Sequence, residues 1–175
     1  AHAAECAVAV DDPFALEAAA IEEIYACIKD ELVAGYAKEG DAVASAYRDW
    51  TVSSTRPAVA GAHGNRLLYT FANDIAAEQY LKYADEGVIM PVGSVLAKES
   101  ITISAKKKAA VTGPLFIMTK GEPGSAPETA DWVYGGIQPN GQSMKFKQSF
   151  CHDCHVAWEA QDMLAHPLEE VRLAN

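Results

Sequence analysis

Positive charge is scarce in this 175-residue chain, where 14 lysines and arginines face 24 acids and leave a formal charge of −10. A surface that acidic repels phosphate backbones and anionic lipid headgroups, which excludes nucleic acid as a partner and favours a small molecule or a basic protein. The one basic run, Lys106, Lys107 and Lys108, reads as a solvated loop tip. No apolar stretch approaches the length of a bilayer span, so membrane insertion is not expected. Repeats and low-complexity tracts are missing too. With half of its residues apolar, the chain has what it needs to bury a core. Cysteine is limited to four residues, and their positions carry most of the chemistry.

Two of the four stand in QSFCHDCHVAWEAQD, where Cys151 and Cys154 bracket two residues and His155 follows directly. Thiols at this spacing reach both vinyl groups of a heme while the next side chain meets the iron, the attachment chemistry of c-type cytochromes. On that reading Cys151 and Cys154 hold heme c covalently, and His155 is the proximal ligand of its iron. A structural zinc ion needs four ligands. Beyond these cysteines and one of His152 or His155, there is no second Cys/His cluster at matching spacing. A thioredoxin-type dithiol sits between a strand and a helix of a βαβ unit, and no such alternation is visible here.

Cys6 and Cys27 flank the start of a long amphipathic helix. Asp11 and Asp12 can cap it, Pro13 suits its first turn, and Ile21, Ile24, Tyr25, Ile28, Leu32 and Tyr36 recur at helical spacing as one apolar stripe. Cys27 lies off that stripe, where the preceding segment can bring Cys6 to it as a disulfide. The opening AHAAECAVAV resembles the small-residue tail around a secretory cleavage site. Covalent heme together with a removed signal implies the periplasm, where thiols not held by heme are oxidised.

After GDAVASAYRDW, which reads as the turn out of this helix, the apolar period falls toward two. Residues 65–72, 92–104, 113–121 and 129–141 are rich in β-branched and aromatic residues and are punctuated by Gly and Pro, as strands are. Between the first two, Asn73 caps a short helix that Gly87 stops. PNGQ at 139–142 marks a tight turn from which SMKFK pairs back as a hairpin, before Ser149 leads into the heme motif on a helix. The expected fold is α+β, a mainly antiparallel sheet with an N-terminal helix and a C-terminal heme-motif helix. Its expected division is a helical segment 1–46 and a heme domain 47–175.

The late position of the motif separates kinds of cytochrome. Small helical carriers place it near the N-terminus with a methionine ligand far downstream, whereas only 20 residues follow His155. Met163 falls on the His155 side of the heme, so Met90, Met118 and Met144 are the methionines able to reach the far face. A six-coordinate carrier would use one of them, although each also suits the core. Four-helix cytochromes do carry the motif late, but the strands between 65 and 147 do not suit a bundle.

YRDW (47–50), the strand holding Arg66, MPVGSVLAKES (90–100), GPLFIM (113–118), ADW (130–132) and CHDCH together resemble the cytochrome P-460 family, which includes the cytochrome c-prime-beta proteins. The likeness runs from Tyr47 to the end of the motif helix. It implies a mostly antiparallel β fold, a homodimer, and a five-coordinate c-heme whose open face lies against the sheet. It also implies a small nitrogenous substrate or a gas. The family's enzymes oxidise hydroxylamine to nitric oxide or nitrous oxide, and its c-prime-beta relatives bind nitric oxide. A soluble cytochrome is the expected electron acceptor.

The enzymes carry a lysine bonded to a meso carbon of the heme, and Lys98 in VLAKE is the lysine that matches. Strand alternation places it with Leu96 and Ser100, opposite Val95, Ala97, Ile101 and Ile103, so it faces either heme or solvent. Arg66 matches the distal arginine, where a fixed cation holds a bound water or a developing anion; an ordinary strand arginine would pair with a carboxylate instead. Lys98 and Arg66 are thus the expected catalytic residues. No distal carboxylate matches. Glu99 points away from the Lys98 side, and Asp131 and Lys147 precede or close strands expected to approach the heme. Phe116, Phe146 and Tyr134 are candidate pocket walls, as strand aromatics are also candidates for the core.

Overall fold

The computed structural model describes residues 6–174; the Ala-His-Ala opening read as a cleavage remnant lies outside them. Among the described residues the strands are β1 (Cys6–Ala7), β2 (Thr51–Val52), β3 (Ala58–Ala60), β4 (Arg66–Ala72), β5 (Val95–Ser104), β6 (Ala109–Thr112), β7 (Leu115–Lys120) and β8 (Trp132–Ile137). The α-helices are α1 (Ala18–Tyr36), α2 (Ala42–Ala46), α3 (Asp74–Tyr80) and α4 (Gln148–His155). None of these helices is long and apolar enough to cross a membrane.

All the strand pairs are antiparallel, in the order β1-β6-β5-β4-β2, with β3 also on β4, β7 also on β5, and β8 on β7. The curl of this sheet comes from β5. Its first half, Val95–Lys98, pairs with β7, while Ile101–Ser104 pairs with β6. The chain crosses from β6 to β7 at Gly113, whose N–H donates to the Ser100 carbonyl at 2.8 Å. A Cβ at this position would stand 2.9 Å from that same oxygen, so only glycine passes. One long strand thus serves two partners on one edge, and the ordinary twist of the sheet is exaggerated there.

Alternation along β5 sorts the molecule into two cores. Ala97 and Ile101, with Val95 and Ile103 at the margin, pack against Ile21, Ile24, Ile28, Leu32 and Tyr36 of α1. Each aliphatic side chain removed from water in this way contributes roughly 1.5–3 kcal/mol, which is what holds the helix to the sheet. The Tyr36 hydroxyl donates to the Gly113 carbonyl at 2.7 Å and pins the end of α1 to the strand crossover. On the other face, Leu96 joins Met90, Met118, Trp132, Tyr134 and Leu164 in the second core. Cys6 on β1 and Cys27 on the exposed back of α1 form a disulfide. That bond ties the strand beside β6 to the helix covering the sheet.

The α+β architecture is as the sequence implies, with local differences. Asp12 does cap, accepting from the Phe14 N–H at 3.0 Å, but it opens a 3-10 turn, and α1 itself begins at Ala18. GDAVASAYRDW is more than a turn. After Gly40, in the left-handed region at φ 74°, Asp41 accepts from the Ala44 N–H at 2.9 Å and starts α2. Asn73 caps α3 as expected, at 3.0 Å from the Ala76 N–H, yet the helix stops at Tyr80, well before Gly87. SMKFK returns through a single bridge, Ser143 on Ile137, and the Met144 N–H donating to the Gly136 carbonyl at 2.8 Å, not as a strand. Lys106, Lys107 and Lys108 form the exposed turn between β5 and β6.

Candidate functional site

The sheet face turned away from α1 carries a cavity of about 690 Å³, within the roughly 300–1,000 Å³ that cofactor and ligand sites occupy. Lys98, its neighbour Thr70 on β4 and its neighbour Phe116 on β7 line it from the sheet. Cys151, Cys154 and His155 line it from α4. The helix is docked there by Gln148, which takes the place of a missing strand on β8. Its side-chain oxygen accepts from the Tyr134 N–H at 2.7 Å, and its amide donates to the Tyr134 carbonyl at 2.8 Å.

Cys151 and Cys154 are three apart on one helix face, and both thiols are free. Burial pushes the half-buried Cys151 thiol up, and the neighbouring Cys154 adds to this. His155 is buried, and its Nδ1 lies 2.7 Å from the Met163 carbonyl. A carbonyl only accepts, so Nδ1 carries the proton and Nε2 keeps a free lone pair. Burial, and then the charge of Lys98, hold this imidazole down to about 4, so it is neutral at pH 7. Met163 therefore acts on the His155 side, as expected, and it does so through its carbonyl.

That carbonyl is delivered by an unusual stretch of backbone. Asp162 and Met163 are both left-handed, at φ 53° and 66°, a conformation that non-glycine residues keep only when their surroundings hold it. Asp162 Oδ1 takes a 2.8 Å bond from the Lys120 ammonium, Oδ2 accepts from the Met90 N–H at 2.8 Å, and the Asp162 carbonyl accepts from the Trp132 indole at 2.8 Å. Two strands and the segment before β5 thus fix the loop that orients His155.

Lys98 is 5% exposed. Among the described residues its amine has no hydrogen-bond or salt-bridge partner, and burial lowers it to about 8. Lys98 does not face solvent: it lines the cavity with Cys151, Cys154 and His155. Arg66 lines the cavity as well, but its guanidinium is engaged. Nη1 donates to the His63 carbonyl at 2.8 Å and Nε to the Thr102 hydroxyl at 3.3 Å, so it clamps a turn and, among the described residues, pairs with no carboxylate.

Glu99 points to the other face, as alternation requires, and is fully buried under α1. It accepts from Tyr25 at 2.7 Å, Tyr47 at 2.6 Å and Arg48 at 2.9 Å. Burial, and then the Glu99 charge, raise both tyrosines. Asp131 caps a turn by accepting from the Gly124 and Ala126 N–H groups at 3.0 and 2.9 Å, and Lys147 immediately precedes α4; neither lines the cavity. Phe116 and Tyr134 are walls of the cavity, whereas Phe146 packs on the second core. Of the methionines, Met118 and Met144 reach the lining, and Met90 is buried in the second core away from it.

His63 was not among the expected site residues. It sits in GAHGNR, on a 3-10 turn between β3 and β4, with its ring 4.8 Å from Phe116 and 6.3 Å from His155. Burial first, then Lys98, push it down to about 3. A histidine in a glycine-bounded turn, three residues before a cavity arginine, was the available signal. Trp158, 6.0 Å from the His155 ring, was likewise unforeseen.

Two free thiols at heme spacing, an imidazole with its Nε2 free and a largely apolar cavity between them fit a covalently held heme. The rivals fit poorly. Among the described residues no group of three or more His, Cys, Asp or Glu is placed to hold a metal ion, and the antiparallel sheet has no βαβ unit for a thioredoxin-type pair.

Fold and site together define a c-type cytochrome built on a curled antiparallel sheet. The family model described as Cytochrome P460 matches residues 44–166, and the chain belongs to that family. The match leaves out β1 and α1. No curated protein matches the chain.

Proposed function

We propose that this chain is a periplasmic cytochrome that oxidises hydroxylamine, with Lys98 bonded to the edge of its heme. One observation carries the reading: the Lys98 amine is 5% exposed, unpartnered among the described residues, and in one cavity with Cys151, Cys154 and His155. A buried ammonium without a partner is costly. Its neutral form is the nucleophilic one, and an amine held at about 8 has a neutral fraction at pH 7 that an ordinary lysine lacks. A bond to the macrocycle removes the buried charge altogether.

Heme c, when bound, supplies the redox-active iron at which a small nitrogenous molecule is oxidised. The chain's own contributions follow from the geometry. Cys151 and Cys154 anchor the group, and His155 presents Nε2 in the one tautomer that the Met163 carbonyl permits. Phe116 and Tyr134 exclude water from the sheet side. Arg66 keeps the turn carrying His63 over the cavity. Hydroxylamine becoming nitric oxide releases three protons and three electrons; two molecules becoming nitrous oxide and water release four of each. The protons pass to solvent, and the acidic surface suits a basic soluble cytochrome as the electron acceptor. The Cys6–Cys27 disulfide favours an oxidising compartment. The apolar lining contributed by Phe116 and Met118 also suits capture of nitric oxide by a heme without the lysine bond.

The test is the absorption spectrum of the heme-loaded protein, with hydroxylamine turnover measured against an artificial acceptor. The expected wild type is green with a red-shifted Soret band; Lys98→Arg keeps its heme, turns red and loses turnover. A red wild type without turnover moves the reading to nitric oxide capture. Unchanged turnover in Lys98→Arg removes the role given to Lys98.

A further inference from the structure

His63 and His155 line the same cavity, one from the turn before β4 and one from α4. Two imidazoles bound to one metal along a straight axis have ring centres about 6 Å apart, since each metal–nitrogen bond is about 2 Å and each ring adds about 1 Å. The observed separation is 6.3 Å, with the ring planes 81° apart. Such a crossing is compatible with shared coordination, because each plane need only contain its own bond axis.

The His63 ring is held in place by its surroundings. Gly64, left-handed at φ 69°, closes the turn by donating to the Gly61 carbonyl at 3.1 Å. Arg66 holds the His63 carbonyl at 2.8 Å, and Phe116 packs on the ring at 4.8 Å. The ring nitrogens of His63 have no hydrogen-bond partner among the described residues. His152, His155 and His166 each have one. His63 lines the cavity with no partner among the described residues on either ring nitrogen, so its neutral ring keeps a lone pair to give.

We propose that His63 is the second axial ligand of the heme iron in the resting ferric protein, opposite His155, and that incoming small molecules must displace it. The exchange breaks one iron–nitrogen bond and forms another, with no electron transferred. It departs from the five-coordinate state that the family resemblance implied. It also gives Arg66 a concrete task as a positioning residue, which holds the ligand's turn without touching the substrate. The proposal rests on heme attachment at Cys151, Cys154 and His155, and is independent of hydroxylamine turnover and of any Lys98 bond.

The experiment is electron paramagnetic resonance and resonance Raman spectroscopy of the ferric, heme-loaded protein at neutral pH, for wild type, His63→Ala and His63→Phe. The phenylalanine variant keeps the packing on Phe116 and removes the nitrogens. Wild type is expected to be six-coordinate and low-spin, both variants five-coordinate or water-bound and high-spin, with added imidazole restoring the low-spin signal in His63→Ala. Carbon monoxide binding to the reduced protein should accelerate by about ten- to a hundredfold in the variants, because the competent state is only a few per cent populated while His63 is bound. A high-spin wild type, or a low-spin signal that survives in both variants, would overturn the assignment whether or not the protein oxidises hydroxylamine.

Discussion

Replacing Lys98 by methionine keeps the aliphatic stem beside Leu96 and deletes the charge, so it isolates what the buried amine costs. Burial holds that amine at about 8, against 10.5 in an open chain. Between these values the unfolded chain binds the proton and the folded protein does not, so stability rises with pH across this window. At pH 7 both states are protonated, and the folded protein carries nearly the whole penalty. At roughly 1.4 kcal/mol per pH unit this is about 3 kcal/mol. Lys98→Met should therefore be more stable than wild type by about 3 kcal/mol at pH 7, and by only about 1 kcal/mol at pH 10. The assay is urea unfolding of the heme-loaded proteins at both pH values, followed by far-ultraviolet circular dichroism. Taking the difference between the two proteins cancels every other titrating group. A lysine bonded to the macrocycle no longer titrates as an amine, so green samples should show a gap that does not change with pH. A constant gap in a sample whose spectrum is that of an ordinary c-type heme would refute the burial argument.

Three further outcomes follow from the same geometry. Glu99→Gln weakens an acceptor that serves Tyr25, Tyr47 and Arg48 at once; it should cost about 2–4 kcal/mol in denaturant unfolding and leave the heme spectrum untouched, because the side chain lies under α1. A changed spin state in that variant would deny that β5 separates the two faces. Replacing Cys6 and Cys27 by alanine opens a crosslink between residues 21 apart, and thermal unfolding should report a loss of about 3 kcal/mol. Asp162→Asn removes the charge from a pair with Lys120 in which both side chains are about one-tenth exposed; a loss of about 1–3 kcal/mol should come with a shift of the iron–histidine stretching band in the reduced protein. An unmoved band would mean that Asp162 has no part in setting the Met163 carbonyl.

The legible parts of this molecule were those decided by near neighbours in the chain. CHDCH needs only one helix face to bring two thiols and an imidazole together, and the α1 stripe needs only its own spacing. β3 and β6, which read AVA and AAVT, are too short and too rich in alanine to show alternation, and they become strands because β4 and β5 offer them partners. The facing of Lys98 was ambiguous for a related reason. Alternation sets it opposite Ala97 and Ile101, yet which side of β5 meets the cofactor depends on where α1 lies. Glu99 disguised the answer by placing an acid on the helix side, since its three donors come from α1 and from the segment after α2, which no local pattern connects to it.

His63 is the harder case, and its physics shows why a motif search stops at one side of a heme. The proximal ligand is bound to its cysteines by covalent spacing, so its role is written within five residues. A group on the far side is set by three independent contacts: a glycine turn, the grip of Arg66 on a backbone carbonyl, and the Phe116 ring, which arrives from β7. Each of these alone is ordinary, as GAHGNR is a common turn composition and Phe116 a common strand residue. Only the curl of the sheet, forced by the two partners of β5, brings β7 and the β3–β4 turn to the same cavity. The placing of His63 at the cavity is therefore a property of sheet curvature, and substitutions that flatten the crossover at Gly113 should disturb the His63 side while leaving heme attachment at Cys151 and Cys154 intact.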